Sequence, residues 1–448
     1  MIRTAATVRA LALVWLFAAC GGRGVTDTPG PGGTPIDTTT PGGPPTVQRA
    51  TLTVQVSVDA ADAGLAASAG VGVAGITVRL VRTGSADAPR TAVTDAAGTV
   101  SFDRLLEGTY QVSAERQLTN AEIEKLPPES RDASLFAAGT DVRLQPPANQ
   151  SAALSIVATR RGSVVISELF PFNSPAGQNL GYGYGTYIEV YNNGDTTAYL
   201  DGMMIARTPL TLHWAYATYP CSQVNASVRN DSSGIPVSLI HAFPGNGRDF
   251  PIRPGEFKVV AMDALDHRQA APTLDQVDLS RADFEQHGSD ADIDNPYVPD
   301  MNIVLGGTGI FGRGYTYSNA PTVHILALPT PVATLQRVTM ISTTGANGGG
   351  DLFEATILPR ARVLDVLAAD VTPAAIERGT LDGVLRCNPW VSSAFDRAQA
   401  NMVDTRLRKA IARRSLGRTA DGREILQRTR TSARDFEYAE PLRRSLAR

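Results

Sequence analysis

The sequence predicts an all-β protein with two folded domains behind a disordered tether. Glycine and proline are abundant, with 41 and 29 residues among 448, and this composition favours many short strands and turns over long helices. From about residue 50 onward, short segments alternate apolar and polar residues, which is the pattern of half-buried strands. A chain of this length is too long for one hydrophobic core, so we expect at least two domains.

The N-terminal segment predicts where the protein is attached. A short apolar run follows two arginines and ends at Ala18-Ala19-Cys20, which is typical of a signal peptide, here residues 1–19. The three residues resemble a bacterial lipobox, although Phe17 stands where leucine is usual. The resemblance implies that Cys20 becomes the acylated first residue of the mature protein. Gly21 follows it in place of aspartate, which implies retention at the outer membrane.

Residues 20–48 form the predicted tether. After Cys20 they are mostly Gly, Pro and Thr, so they have almost no side chain to bury. As a flexible coil, a segment of this length reaches roughly 30 Å. We therefore expect it to hold the folded part of the protein away from the membrane.

The first domain is predicted over residues 49–160. The expected strands include residues 52–58, 76–81 and 153–157, and the segments 94–102 and 105–112 are expected to carry strands around tight turns at Gly98 and Gly108. Residues 119–126 predict a short helix that Pro127-Pro128 ends. The segment from Thr94 to Val112 resembles the carboxypeptidase-regulatory-like and collagen-adhesin B-type repeats. This resemblance implies a prealbumin-like β-sandwich, a module that usually serves as a spacer or stalk.

The second domain is predicted over residues 161–448. The expected strands are residues 164–169, 187–195, 199–205 and 254–261. Asn193-Gly194 predicts a tight turn that leads into residues 199–205. The segments ISE, YIEVYNNGD, YLDG and PGEFKVVA resemble the lamin-tail domain, which implies an immunoglobulin-like sandwich with long insertions. Residues 264–267, 278–285, 292–296, 421–427 and 435–437 resemble an uncharacterised lipoprotein family common in Bacteroidota.

One set of residues in the second domain suits catalysis. Glu168 and Glu189 end two early strands, and paired carboxylates can act as acid and base in a hydrolase. His267 and His287 could join them if the fold brings all four together. The alternative is a structural role, because the lamin-tail fold carries such glutamates in proteins that are not enzymes. We favour the structural role, and the sequence names no catalytic residue.

An acidic segment predicts a weak calcium site. Asp290, Asp292 and Asp294 alternate along the chain and offer oxygen ligands, which hard cations such as Ca²⁺ prefer. The segment is not an EF-hand, because Asn295 replaces the required glycine and Met301 stands where the bidentate glutamate belongs. The alternative is a solvated acidic loop.

Cys221 and Cys387 remain after Cys20 is assigned to lipid. An even pair in an oxidising compartment predicts a disulfide, and two separate buried thiols are the alternative.

Two further features indicate surfaces. An aromatic cluster suits contacts with proteins or sugars, and its binding candidates are Tyr182, Tyr184, Tyr216 and Tyr219. A basic C-terminal cluster predicts a helix whose charges contact anionic lipid or are solvated and partly paired. That cluster is Arg406, Arg408, Lys409, Arg413 and Arg414.

These observations favour a non-enzymatic envelope lipoprotein that acts as a binding or accessory protein. Its expected partners are the membrane, through Cys20, and an outer-membrane receptor or a surface glycan. The net charge of −3 provides no strong basic field for nucleic acid. Two alternatives remain open: a hydrolase or metal-dependent enzyme in the second domain, and a structural stalk or adhesin. Apart from calcium, no cofactor is expected.

Overall fold

The fold is seen in a computed structural model. The described residues are 47–171, 184–209, 214–216, 226–270, 276–286, 294–306, 322–341, 352–371, 384–386, 391–402, 408–419 and 421–442. Within them the architecture is all-β, as the sequence predicts, and the helices are all too short or too polar to cross a membrane.

The N-terminal part is a β-sandwich. Its elements are β1 (Ala50–Val58), α1 (Ala63–Ala69), β2 (Thr77–Arg82), β3 (Arg90–Val93), β4 (Thr99–Leu105), β5 (Gly108–Gln117), α2 (Asn120–Lys125), β6 (Leu135–Leu144) and β7 (Gln150–Thr159). The strands form one seven-stranded sheet in the order β3-β2-β5-β6-β7-β1-β4, in which β1 and β7 run parallel. Val54 and Phe102 from one end of the sheet share a core with Val78 and Val112 from the other. Alternating burial along β1 therefore arises because one face meets this core.

Local signals predict this part well. The expected helix over residues 119–126 is α2, where Thr119 and Glu122 form a capping box and Leu126 ends the helix before the two prolines. The Thr119 hydroxyl accepts from the backbone N–H of Glu122, and the Glu122 carboxylate accepts from the backbone N–H of Thr119 at 2.7 Å. Both contacts lie within one helical turn, so the sequence alone could indicate them.

The larger part of the chain carries the remaining elements. Its strands are β8 (Val164–Phe170), β9 (Tyr187–Asn192), β10 (Ala198–Tyr199), β11 (Met204–Arg207), β12 (Trp214–Tyr216), β13 (Gly234–Val237), β14 (Leu239–Ala242), β15 (Pro251–Ile252), β16 (Phe257–Ala261), β17 (Phe284–Glu285), β18 (Asn302–Leu305), β19 (Thr322–Ala327), β20 (Arg337–Ile341), β21 (Leu352–Pro359), β22 (Val363–Val371), β23 (Val384–Arg386), β24 (Ala400–Met402), β25 (Ala410–Arg413), β26 (Ser415–Arg418), β27 (Glu424–Leu426) and β28 (Phe436–Ala439). Its helices are α3 (Ala226–Arg229), α4 (His267–Ala270) and α5 (Ser432–Asp435).

Two six-stranded sheets build the core of this part. One has the order β17-β16-β9-β8-β25-β28 and the other the order β18-β14-β11-β19-β22-β24. Ile166 and Val190 of the first sheet pack in one cluster with Ile205, Leu326 and Leu367 of the second. The opposite face of the second sheet packs against a three-stranded sheet, β13-β21-β20. Both faces of the second sheet are therefore covered by apolar side chains.

Two expectations about this part are wrong. The strand expected over residues 199–205 is not continuous, because β10 pairs with β15 in a two-stranded sheet while β11 lies in a six-stranded sheet. The part of the basic cluster within the described residues, from residue 408 to residue 414, is not a helix, because residues 410–413 form strand β25. Arg413 in that strand is fully buried between Asp365 and Asp435, so it is an internal ion-pair partner.

The N-terminal sandwich packs closely on the β26–β27 hairpin. Leu135, Ala137 and Val157 of the sandwich share an apolar cluster with Leu416 and Ile425 of the hairpin. At its centre the backbones approach so closely that a Cβ atom added to residue 139 would lie 2.6 Å from backbone atoms of residues 416 and 417. Only glycine fits at that position without a shift of the hairpin.

Ion pairs extend the same junction. The Arg434 guanidinium donates to Asp62 Oδ2 at 2.9 Å and to Asp59 Oδ1 at 3.0 Å, and both carboxylates belong to the sandwich. Asp62 is buried and also accepts from the backbone N–H of Ala158 at 3.0 Å. The hydrogen bond to Asp62 raises the pKa of Arg434, so this guanidinium stays charged. Residues 48–448 accordingly form one compact unit.

Candidate functional site

The two glutamates that suit acid–base chemistry lie directly opposite each other. Glu168 on β8 and Glu189 on β9 are register partners beside a β-bulge, and both are 0% exposed. The bulge follows Ile166, and it interrupts the regular alternation of side chains between the two faces of the sheet just before Glu168. The two residues are therefore neighbours on adjacent strands, and both side chains are buried.

The contacts of the two carboxylates are internal. Glu168 Oε1 accepts from the Tyr187 hydroxyl and, at 2.8 Å, from the backbone N–H of Leu442 near the C-terminus. Glu189 Oε1 accepts from the Ser167 hydroxyl at 2.8 Å. Burial, and next the charge of Glu168, raise the pKa of Tyr187 well above its ordinary value, so this phenol stays protonated and donates. These contacts connect β8, β9 and the end of the chain, which is a structural task.

His267 has its own structural setting. It begins α4, is fully buried, and its Nε2 lies 2.8 Å from the backbone carbonyl of Asp263. Burial lowers its pKa, so the imidazole is neutral at ordinary pH. His287 lies outside the described residues. The described residues therefore include three of the four candidates, and the structural role stays the prediction.

A cluster of three carboxylates lies at the end of β17. Oxygen atoms of Glu285, Asp294 and Asp300 are all within 4.8 Å of one another. Glu285 is 1% exposed, whereas the two aspartates are exposed. A set of carboxylate oxygens this close suits a hard cation, although Ca²⁺ takes six to eight oxygen ligands and the cluster supplies only part of them.

The backbone fixes the position of Glu285. Its Oε2 accepts from the backbone N–H of Ala264 at 2.8 Å and its Oε1 accepts from that of Asn295 at 3.0 Å. Burial raises the pKa of Glu285, the two backbone donors lower it, and the charge of Asp300 raises it further. A cation would offset both effects that disfavour the charged carboxylate.

This cluster agrees only in part with the predicted calcium ligands. Asp294 belongs to it, whereas Asp290 and Asp292 lie outside the described residues. Glu285 and Asp300 were not predicted as ligands. They meet because residues 285 and 300 form a parallel β-bridge, which is a tertiary contact without a local sequence signal. The calcium site itself stays a prediction.

The remaining sequence candidates are only partly described. Tyr184 is half-buried next to β9. Tyr216 ends β12, where it pairs with Val384 of β23. The other candidates lie outside the described residues: Cys20, Tyr182, Tyr219, Cys221 and Cys387. The lipid attachment, the aromatic binding surface and the disulfide therefore stay predictions.

The fold and the matches to two family models define the class of protein. Residues 51–135 match the SdrD B-like domain, which confirms the prealbumin-like module expected from the sequence. The chain is therefore an all-β protein in which an SdrD B-like sandwich precedes a larger sandwich. Residues 253–442, less than half of the chain, match the family described as "Protein of unknown function (DUF4876)".

Solved structures resemble the chain at low sequence identity. A DUF4876 family protein from Bacteroides thetaiotaomicron is 17% identical, with 87% of this chain and 94% of that chain covered and a TM-score of 0.49. A DUF3823 family protein from Parabacteroides merdae is 8% identical, with 70% and 97% covered and a TM-score of 0.17. The Streptococcal ancillary pilin is 14% identical, with 33% and 54% covered and a TM-score of 0.16. No curated protein matches the sequence.

Proposed function

We propose that this chain is a non-enzymatic envelope lipoprotein that binds an outer-membrane receptor or a surface glycan. The observation that carries the proposal is that the two residues best suited to acid–base catalysis make internal structural contacts. Glu168 and Glu189 are wholly buried, and they hydrogen-bond Tyr187, Leu442 and Ser167 within the sandwich. A general acid or base must reach the proton that it transfers, and these carboxylates hold strands together instead.

The proposed attachment rests on the N-terminal sequence. Acylation of Cys20 would anchor the mature chain, because several acyl chains hold a protein stably on a bilayer. The tether of residues 20–48 would then place the SdrD B-like sandwich nearest the membrane. The close junction between that sandwich and the β26–β27 hairpin supports a spacer role, because it presents the larger part on a fixed support.

A stalk or adhesin is the second candidate. The SdrD B-like match over residues 51–135 favours it, because modules of this type usually act as spacers. A stalk needs no ligand of its own, whereas a binding protein takes up its partner saturably. Saturable uptake therefore separates a binding protein from a stalk.

The proposal is tested with outer membranes from a strain that lacks the protein. Detergent-extracted full-length protein should bind them saturably, and pretreatment with protease or glycosidase should show whether the partner is a receptor or a glycan. Replacement of Tyr184 and its neighbour Tyr182 by alanine tests the predicted aromatic surface, with Arg337→Gln, a change of an exposed arginine on β20, as the control. Hydrolysis of envelope glycans or peptides by the protein, lost in Glu189→Gln, would contradict the proposal.

A further inference from the structure

A cavity of about 200 Å³ lies at the junction between the N-terminal sandwich and the larger part of the chain. Asp132 and Arg160 line it from the sandwich side, and Arg360, Asp365, Arg428 and Arg430 line it from the other side. Since a water molecule occupies about 30 Å³ in the liquid, the cavity has room for several waters or for one small organic molecule. The carboxylates of the candidate site, Glu168, Glu189, Glu285, Asp294 and Asp300, do not line it.

The charges around the cavity do not balance. Four arginines face two aspartates, and both aspartates already have partners. Asp365 Oδ2 accepts from the backbone N–H of Ile166 at 2.9 Å and also pairs with Arg413, which lies deeper in the protein. Asp132 accepts from Arg430 at 2.6 Å. Among the described residues that line the cavity, positive side chains therefore outnumber negative ones by two.

Arg428 is the innermost of these cations. Its side chain is 7% exposed, its Nε lies 3.4 Å from Asp365 Oδ1, and its Nη2 donates to the Leu364 carbonyl. Its Nη1 is buried and has no hydrogen-bond partner among the described residues. A buried donor without a partner costs free energy, and an unused guanidinium N–H suits the planar oxygens of a carboxylate or phosphate.

The other arginines increase the positive field at this donor. Among the described residues the side chains of Arg160 and Arg360 make no ion pair. The positive charge of Arg160 contributes to lowering the pKa of Arg428, and that of Arg360 contributes to lowering the pKa of Arg430, with burial as the main cause for both. Neighbouring guanidinium groups repel one another, so a bound anion would relieve that repulsion.

We propose that this cavity binds a small organic oxyanion, either a carboxylate or a phosphate monoester. Arg428 Nη1 donates to the anion from the inner wall, and Arg160 and Arg360 approach it from the two sides of the junction. The apolar part of the ligand packs on Phe395 and Val366, which also line the cavity. This inference does not rest on the proposed envelope function, because it concerns a site that would exist in a binding protein, a stalk or an enzyme.

The experiment is a titration of the full chain at low ionic strength with four probes. Phenyl phosphate and benzoate carry the two anionic groups on the same ring, inorganic phosphate lacks the ring, and benzyl alcohol lacks the charge. Calorimetry and thermal unfolding are recorded for each. We expect phenyl phosphate or benzoate to bind saturably and to raise the unfolding temperature, because the ligand binds the folded state. Benzyl alcohol should have no effect.

Variants locate the binding. Arg160→Gln and Arg360→Gln each remove a charge at the edge of the cavity without removing a salt bridge, and each should raise the Kd of the organic anion about tenfold or more. Arg337→Gln removes an exposed arginine on β20 and should leave the Kd unchanged. Arg428→Gln should abolish binding. Because that variant could also fail to fold, its circular dichroism spectrum must match the wild type.

Three outcomes would overturn the inference. The first is no saturable binding of either organic anion to the wild-type protein. The second is equal affinity in Arg160→Gln, Arg360→Gln and Arg337→Gln, which would place the anion elsewhere. The third is binding of inorganic phosphate alone, which would exclude an organic ligand. The relative affinities of phenyl phosphate and benzoate identify which oxyanion the site prefers.

Discussion

Gly139→Ala should weaken the junction between the N-terminal sandwich and the β26–β27 hairpin. The added Cβ would lie 2.6 Å from Gly417 N and from the carbonyl carbon and oxygen of Leu416, where ordinary contacts begin at 3.4 Å. The hairpin backbone must therefore retreat by about 0.8 Å, the difference between these two distances. The retreat loosens the apolar contacts of Leu416 and Ile425 with the sandwich.

The expected loss of stability in Gly139→Ala is large because the added Cβ meets backbone atoms. Overpacking typically costs 1–3 kcal/mol, and a clash with backbone belongs near the upper end, about 3 kcal/mol. Replacing glycine by alanine also restricts the unfolded chain, which returns about 0.4–1 kcal/mol. We therefore expect the free energy of unfolding to fall by about 2 kcal/mol. Urea-induced unfolding followed by circular dichroism measures this change.

Gly64→Ala is the matched control. Residue 64 lies in α1, and no atom stands within 4 Å of the Cβ that alanine would add there. Alanine is favoured over glycine in a helix, so this variant should keep or slightly raise the stability of the protein. Equal unfolding free energies for Gly139→Ala and Gly64→Ala would refute the close approach of the two backbones.

Two further predictions concern acidic groups. Burial raises the pKa of Asp396 from 3.8 to about 7, so between these values the folded state holds a proton that the unfolded state has lost, and the free energy of unfolding falls as pH rises. The free energy of unfolding of Asp396→Asn, measured relative to that of the wild type, should therefore rise by about 2–3 kcal/mol between about pH 5 and about pH 8. Parallel pH profiles of the two proteins would contradict this. Ca²⁺ bound at the Glu285 cluster should raise the unfolding temperature relative to chelator, and at a hundredfold excess over Kd the free energy of unfolding should rise by about 2.7 kcal/mol. Replacement of Asp294 and Asp300 by asparagine should remove that difference, and identical wild-type curves would leave a solvated acidic loop.

The sequence predicts what is decided within a few residues. Alternation over residues 52–58 indicates β1, and Thr119 with Glu122 indicates the start of α2, because strand faces and helix caps depend on near neighbours. The SdrD B-like module could be recognised for the same reason, since its turns and strands are short and regular.

The parts that could not be predicted depend on contacts between distant residues. Arg413 belongs to a basic run, and its burial depends on Asp365, 48 residues away in the sequence. The three carboxylates near β17 meet through an isolated bridge, and the arginine cavity combines residues 132 and 160 with residues 360–430. Charge runs in a sequence show the sign of a region, but they do not show which charges become partners.

The central claim, a lipid-anchored envelope protein, is tested most directly by fractionation of cells that produce the wild type or Cys20→Ala. The account predicts that the wild type is recovered in the outer-membrane fraction, with an intact mass that corresponds to a chain beginning at an acylated Cys20. Cys20→Ala should remain uncleaved or appear in the soluble fraction, because the acyl chains supply the attachment. Normal processing and membrane recovery of Cys20→Ala, or a wild type without acyl chains, would contradict the account.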